Sequence, residues 1–251
     1  MQIKDDILAI QLRSFNLTTM ATISSAALLE AEKKNWTHRE LLLHLCECET
    51  QERSKKLTQR LLKLSCLPLG KTMDALKPAL LPEKVRRQLP SLQEGNFIDR
   101  HENILAFGLA GRGKTHFLAA LGRELLLRQN RRVLFIPTFK LVERLLSAKK
   151  ESNLEAALKK LDFFDLVILD DIGYVQQNRE EMEVLFTFLS ERYERRSLMI
   201  TSNLVFSQWE QIFKDPVTTM AAIDRLVHHS IILEFTGESH RAESAKAKLK
   251  K

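Results

Sequence analysis

Eight consecutive residues, Gly108-Leu-Ala-Gly-Arg-Gly-Lys-Thr115, restrict this chain more than any other feature. They match the phosphate-loop pattern, in which a glycine, four residues and a second glycine precede Lys and a hydroxyl residue. The spacing follows from the ligand. Gly108, Gly111 and Gly113 let the backbone wrap tightly and aim its N–H groups at a phosphate chain. Lys114 reaches the terminal phosphates, and the Thr115 hydroxyl is a ligand for Mg²⁺. A helix starting here adds the positive end of its dipole.

The flanks agree with the motif. Asn103-Ile-Leu-Ala-Phe107 is a short apolar run that reads as a buried strand, and Phe117, Leu118, Leu121 and Leu125 recur at helical spacing. Four more apolar runs follow, at Arg132–Ile136, Leu166–Asp170, Leu198–Ser202 and Ile231–Phe235. Amphipathic stretches such as Val184, Leu185, Phe188 and Leu189 separate them. Continuous apolar strands alternating with helices predict an α/β fold, with a five-stranded parallel sheet covered on both faces. Nucleotide is expected at the carboxyl ends of the strands.

A phosphate loop needs acidic partners. Asp170 and Asp171 end the third strand, where Asp170 would orient Mg²⁺ and Asp171 would act as general base on the attacking water. The fourth strand ends in Thr201-Ser202-Asn203, which aims Asn203 at the terminal phosphate if this strand lies between the first and third. The chain has no Asn-Lys-x-Asp tetrapeptide for reading guanine, so ATP is the expected nucleotide by exclusion.

The 251 residues suffice for one large domain, or for one plus a smaller one. Residues 1–66 contain no Gly or Pro and read as helical, with a capping box at Thr37-His-Arg-Glu40 and Trp36 placed to staple against Leu41. Leu57, Leu61 and Leu64 mark one helix face. Residues 67–90, with the breakers Pro68, Gly70, Pro78, Pro82 and Pro90, read as a linker with interrupted helices, and 91–251 as the nucleotide-binding domain. Cys46, Cys48 and Cys66 have neither metal-ligand spacing nor an even count, which suggests a reducing cytoplasm. No run is long and apolar enough for a membrane span.

The net charge of +7 is uneven. Arg53, Lys56, Arg60 and Lys63 fall at one-face helical spacing, and Lys140, Arg144, Lys149 and Lys150 form a second group between strands two and three. Rows of this kind suit salt-dependent, weakly sequence-selective binding to double-stranded DNA. A solvated helix face or a protein-docking surface is the other reading of each row.

Several stretches together resemble the IstB transposition helper ATPases, close relatives of the DnaC helicase loaders. They are the phosphate loop with His116, Leu169-Asp-Asp-Ile-Gly-Tyr174, Phe188-Leu-Ser-Glu-Arg-Tyr-Glu-Arg-Arg-Ser197, Ile200-Thr-Ser-Asn203, Asp224-Arg-Leu-Val-His-His229 and Gly237-Glu-Ser-His-Arg241. Trp36–Leu43 and Glu52–Lys56 extend the resemblance over nearly the whole chain. It implies an AAA+ fold with strand order 5-1-4-3-2. AAA+ proteins usually have a helical lid after the fifth strand, and Thr236 to Lys251 are too few for one, so no lid is expected. The resemblance also implies a bacterial ATPase that assembles as a homo-oligomer on DNA and stimulates a partner transposase of the IstA type.

By the same resemblance, Lys114 and Thr115 are the Walker A pair, and Arg112 and His116 complete the nucleotide loop. Asp170 and Asp171 are the Walker B pair and Asn203 is sensor 1. Arg225 is the arginine finger, with Arg195 and Arg196 as rivals, and Arg241 is a sensor-2 candidate. Many AAA+ proteins carry Asp-Glu where this chain has Asp170-Asp171. The shorter side chain suggests slow turnover. Three other readings stand beside the leading one: a DnaC-like helicase loader, a small-molecule P-loop kinase, and a binding module that only switches with ATP.

Overall fold

The computed structural model describes residues 2–76, 81–174, 179–204, 208, 220, 224 and 226–236. The chain divides into two compact units, residues 1–60 and 61–251. The division falls earlier than the composition shift at 66–67 suggests, because it lies within a long helix.

The first unit contains α1 (Gln2–Ser14), α2 (Thr18–Lys34) and the start of α3 (His38–Ser65). Small residues Ala21, Ser24, Ala27 and Ala31 line the buried face of α2. Leu17 precedes α2 without a side-chain cap of its own. The cap comes instead from Glu49 of α3, whose Oε2 accepts the backbone N–H groups of Thr19 and Met20 at 2.8 and 3.0 Å. Arg53 donates to the other Glu49 oxygen at 2.7 Å. The capping box starting α3 is formed as expected: Thr37 N–H donates to Glu40 Oε2 at 2.7 Å, and Glu40 N–H to Thr37 Oγ1 at 3.3 Å. The Trp36 ring lies 5.1 Å from the His44 ring.

The second unit is a five-stranded sheet of β1 (Asn103–Phe107), β2 (Val133–Pro137), β3 (Leu166–Asp170), β4 (Ser197–Ser202) and β5 (Ser230–Glu234). Its order is β2-β3-β4-β1-β5, parallel at every pairing, as the resemblance implied. Side chains alternate across it. Leu105, Val167, Leu169, Leu198 and Ile200 face one core, with residues of α7 (Thr138–Lys150), α8 (Leu154–Asp162) and α9 (Arg179–Arg192). Ile104, Ala106, Ile168, Met199 and Leu233 face the other, with α4 (Glu83–Glu94), α5 (Asn96–Asp99) and α6 (Lys114–Gln129). Two covered faces require apolar residues at consecutive strand positions, which is why β1 is buried at every residue.

Two expectations need correction. The stretch read as a linker is part of this core: Leu67, Leu76, Leu81 and Val85 are buried in the second cluster. Helix α4 also continues through Pro90, because burying Val85 and Leu92 outweighs the one helical hydrogen bond that proline removes. On α3, only Leu61 of the three leucines is buried, while Leu57 and Leu64 are exposed.

Candidate nucleotide site

The loop between β1 and α6 is shaped by glycine. Gly108, Gly111 and Gly113 have φ of 146°, 81° and 88°, a region that side chains disfavour. A Cβ on Gly108 would lie 2.3 Å from the Phe235 carbonyl oxygen. Gly113 caps α6 with no side-chain hydrogen bond of its own, at the end of the helix where unpaired N–H groups and the dipole favour an anion.

Lys114 is 6 % exposed and points back into the loop. Its Nζ donates to the Gly108 carbonyl, to the Leu109 carbonyl at 3.0 Å and to Asn203 Oδ1 at 2.7 Å. Asn203, just past β4, donates through Nδ2 to both Asp171 oxygens at 3.2 Å. Thr201 completes the relay by accepting the Asp171 backbone N–H at 2.7 Å and donating to Asp170 Oδ1 at 2.9 Å. Thr138 Oγ1 donates to the Asp170 carbonyl at 3.1 Å. The ends of β1, β3 and β4 therefore bring one ammonium, one amide and two carboxylates together. The sheet order produces this, because β4 lies between β1 and β3.

Burial and the adjacent Asp170 charge push the Asp171 carboxyl above the usual aspartate range, against the opposing pull of Lys114 and Asn203. Its backbone has φ 60°, an unusual value that Asp tolerates better than most residues. Thr201 and Thr138 were missed by sequence reasoning. Thr201 stood in the Thr-Ser-Asn run, where the alternation of strand side chains places it and Asn203 on one face.

The other expected residues are placed as follows. Thr115 lies in the first turn of α6, partly exposed. Arg112 donates to the Phe235 carbonyl at 3.2 Å, and His116 Nε2 lies 3.3 Å from the Thr72 carbonyl. Arg225 and Arg241 lie outside the described residues. Arg195 is bound to Asp162 and Glu191, and Arg196 to Asp165. Of the first basic row, Arg53 is tied to Glu49 and to the Asn16 carbonyl, while Lys56, Arg60 and Lys63 are exposed. Of the second, Lys149 pairs with Glu183 at 2.9 Å. Lys140, Arg144 and Lys150 are exposed. Lys140 and Arg144 line an open groove of about 440 Å³, together with Lys160 and the acidic Glu143 and Glu151. No helix among the described residues is long and apolar enough to cross a membrane.

The donor set fits a magnesium nucleoside triphosphate. It offers helix N-terminal N–H groups and an ammonium for phosphate, and a hydroxyl and carboxylates for a hard cation. A parallel sheet in this order, with the phosphate loop after β1, the acid pair after β3 and an amide after β4, is that of an AAA+ ATPase. Solved structures agree on the fold. The DnaC helicase loader superposes with a TM-score of 0.56 at 16 % identity, over 67 % of this chain and 98 % of its own. The replication initiator DnaA bound to AMPPCP and single-stranded DNA gives 0.57 at 19 % identity, over 74 % and 56 %.

The family model for the IstB-like ATP binding protein matches residues 10–248, and the chain belongs to that family. An insertion sequence ATP-binding protein of Sinorhizobium fredii is 41 % identical over 95 % of this chain and 80 % of its own length. The IS21 insertion sequence ATP-binding protein of Pseudomonas aeruginosa is 39 % identical over 84 % and 80 %. The chain is thus an ATP-binding AAA+ ATPase of the insertion-sequence type.

Proposed function

We propose that this protein is an ATP-dependent regulator of transposition, which assembles as an oligomer on double-stranded target DNA in the bacterial cytosol and recruits or stimulates the partner transposase. The observation that carries its ATPase part is the Lys114–Asn203–Asp171 relay, because it connects the group that would sense phosphate to the group that would activate water, and the insertion-sequence relatives support the transposition part.

In this reading Lys114 and the loop N–H groups, with Arg112 and His116 beside them, hold the phosphates of ATP. Thr115 and Asp170 hold Mg²⁺, which when bound supplies charge neutralisation at the phosphates. Asp171 accepts the proton of the attacking water, a role favoured by a carboxyl held above the usual aspartate range. Asn203 orients that water through its amide. Arg225 acts in trans on a neighbour's nucleotide, a contribution worth about 10³–10⁵ in rate for such arginines. The ion pairs of Arg195 and Arg196 with their own chain support this choice among the three. Asp171 is one methylene shorter than the usual glutamate, so turnover is slow and suits timed assembly more than a motor. The exposed cations of α3 and α7 contact DNA phosphates, and Arg241 contributes a second sensor.

The test is ATP hydrolysis against duplex DNA concentration, with sedimentation on the same samples. Large assemblies that require DNA and ATP, with hydrolysis lost in Lys114→Ala and Arg225→Ala, support the reading. A monomer that hydrolyses ATP equally without DNA overturns it. A preference for single-stranded DNA and for a replicative helicase over the transposase would favour the loader alternative.

A further inference from the structure

At the amino-terminal end of the sheet, opposite the nucleotide loop, two adjacent histidines meet a glutamate. His228 and His229 immediately precede β5, and Glu194 sits in the turn between α9 and β4. One ligand atom from each of the three lies within 4.8 Å of the others, and all three side chains are exposed. His229 Nε2 is 3.4 Å from Glu194 Oε1. The imidazole rings of His228 and His229 are 4.4 Å apart and near perpendicular, at 78°. We propose that His228, His229 and Glu194 form a divalent transition-metal site, filled by Zn²⁺ in preference to Mg²⁺.

Three arguments converge. The first is ligand chemistry. Two imidazoles and a carboxylate are a recurrent zinc set, whereas Mg²⁺ takes oxygen ligands almost alone. This separates the site from the cation expected beside Thr115 and Asp170.

The second is the frame. The backbone at His229 and Glu194 is held by buried groups, while the three side chains are exposed. His229 O accepts the Asn103 N–H at 2.7 Å, which pins it to β1. Glu194 adopts φ 55° in a turn whose Arg195 and Arg196 N–H groups donate to the Arg192 carbonyl. Arg192 itself is 1 % exposed and donates to the carbonyls of Leu161, Phe164 and Ser197. Ligands about 2.0–2.1 Å from a tetrahedral zinc are only about 3.3 Å apart. The His229–Glu194 separation of 3.4 Å is already near that value, and all three ligand atoms lie within 4.8 Å of one another on exposed side chains.

The third is the surrounding charge. Glu102 is close enough to His229 for their charges to interact, although Arg100 holds it at 3.0 and 2.8 Å. A divalent ion thus meets one ligating carboxylate and a second acid nearby. Tyr193 Oη, 3.4 Å from His228 Nδ1, is placed to orient that ring. Three protein ligands leave a fourth position for water or for a group from another molecule. An ion bound here ties the turn after α9 to the start of β5.

The experiment uses the full chain, stripped with chelator and dialysed against Zn²⁺ or Mg²⁺. Metal per chain, the thermal midpoint and the absorption spectrum of the Co²⁺ form are measured. One tightly held Zn²⁺ per chain is expected, displaced by Co²⁺ to give tetrahedral d–d bands without thiolate charge transfer. The midpoint should rise saturably with Zn²⁺ and not with Mg²⁺. His228→Ala, His229→Ala and Glu194→Gln should each lose the stoichiometric ion and the shift while keeping the metal-free midpoint. Lys114→Ala should keep both. Unchanged zinc in the histidine variants, zinc lost in Lys114→Ala, thiolate bands from Cys46, Cys48 or Cys66, or no retained zinc at all would overturn the proposal.

Discussion

Asn203 accepts the Lys114 ammonium at 2.7 Å, joining the end of β4 to the phosphate loop that follows β1. The same amide donates to Asp171, so it bonds to the cation of the phosphate loop and to the carboxylate after β3 at once. In Asn203→Ala, ATP affinity should stay within a few-fold of the parent while turnover falls by about 10²–10³, the usual cost of one preorganised polar group. Nucleotide binding by fluorescence and turnover on the same protein separate the two. Lost affinity with turnover at saturating ATP unchanged would make Asn203 a ligand for bound nucleotide and not for the transition state.

Asp171 is held at a cost to the fold. Its carboxyl is raised by burial and by Asp170, so the folded chain binds its proton more tightly than the unfolded chain does. Stability from this group therefore falls as pH rises from the ordinary aspartate value through the raised one, and the penalty persists at neutral pH. Asp171→Asn removes it. The nucleotide-free variant should melt at a higher temperature than the parent at pH 7, with the difference shrinking in acid, and should hydrolyse ATP at least about 10²-fold more slowly. A lower melting temperature at pH 7 would show that the Asn203 contact outweighs the repulsion.

The strands and the phosphate loop were largely legible because both rest on local signals. Apolar runs fix β1, β3 and α6, and the loop glycines announce their own φ. What local signals could not show was closure between distant segments. The glycine and prolines of 67–90 mark turns, but whether Leu67, Leu76 and Leu81 pack on the sheet is a tertiary outcome. Leu57 and Leu64 have the spacing of a buried face without a partner to bury them among the described residues. Arg53 reads as a DNA-facing cation by spacing, yet it is tied to Glu49 and the Asn16 carbonyl. Charge spacing cannot distinguish a solvated cation from a bonded one.

Thr201 has a hydroxyl where either acid could be displaced without it. It accepts from the Asp171 backbone and donates to the Asp170 carboxylate. Thr201→Val keeps the shape but leaves a partly buried N–H and a carboxylate oxygen without that partner. The expected loss is about 1–3 kcal/mol of stability, read by denaturant unfolding, together with a fall in turnover. Thr201→Ser restores the hydroxyl and should recover turnover. Failure of serine to rescue would assign the effect to packing of the methyl group.

Glu49 offers the sharpest test of the first unit. Burial pushes its carboxyl up, but hydrogen bonds from Met20, Arg53 and Thr19 outweigh this and hold it below the usual glutamate range. Its contribution is therefore present above the ordinary glutamate value and is lost as pH falls through the depressed one. Leu17 offers α2 no side-chain cap, so Glu49→Ala leaves the Thr19 and Met20 N–H groups without their acceptor. A lost cap costs about 1–2 kcal/mol. In the full chain at pH 7, hydrogen exchange over residues 18–34 should accelerate about 5- to 30-fold, the equivalent of that energy. Exchange in β1 and α6 should be unchanged, because those elements belong to the other unit. The contrast with the parent should fade as the buffer is taken below the depressed value. Acceleration that persists undiminished in strong acid would mean that Glu49 acts through packing and not through its charge.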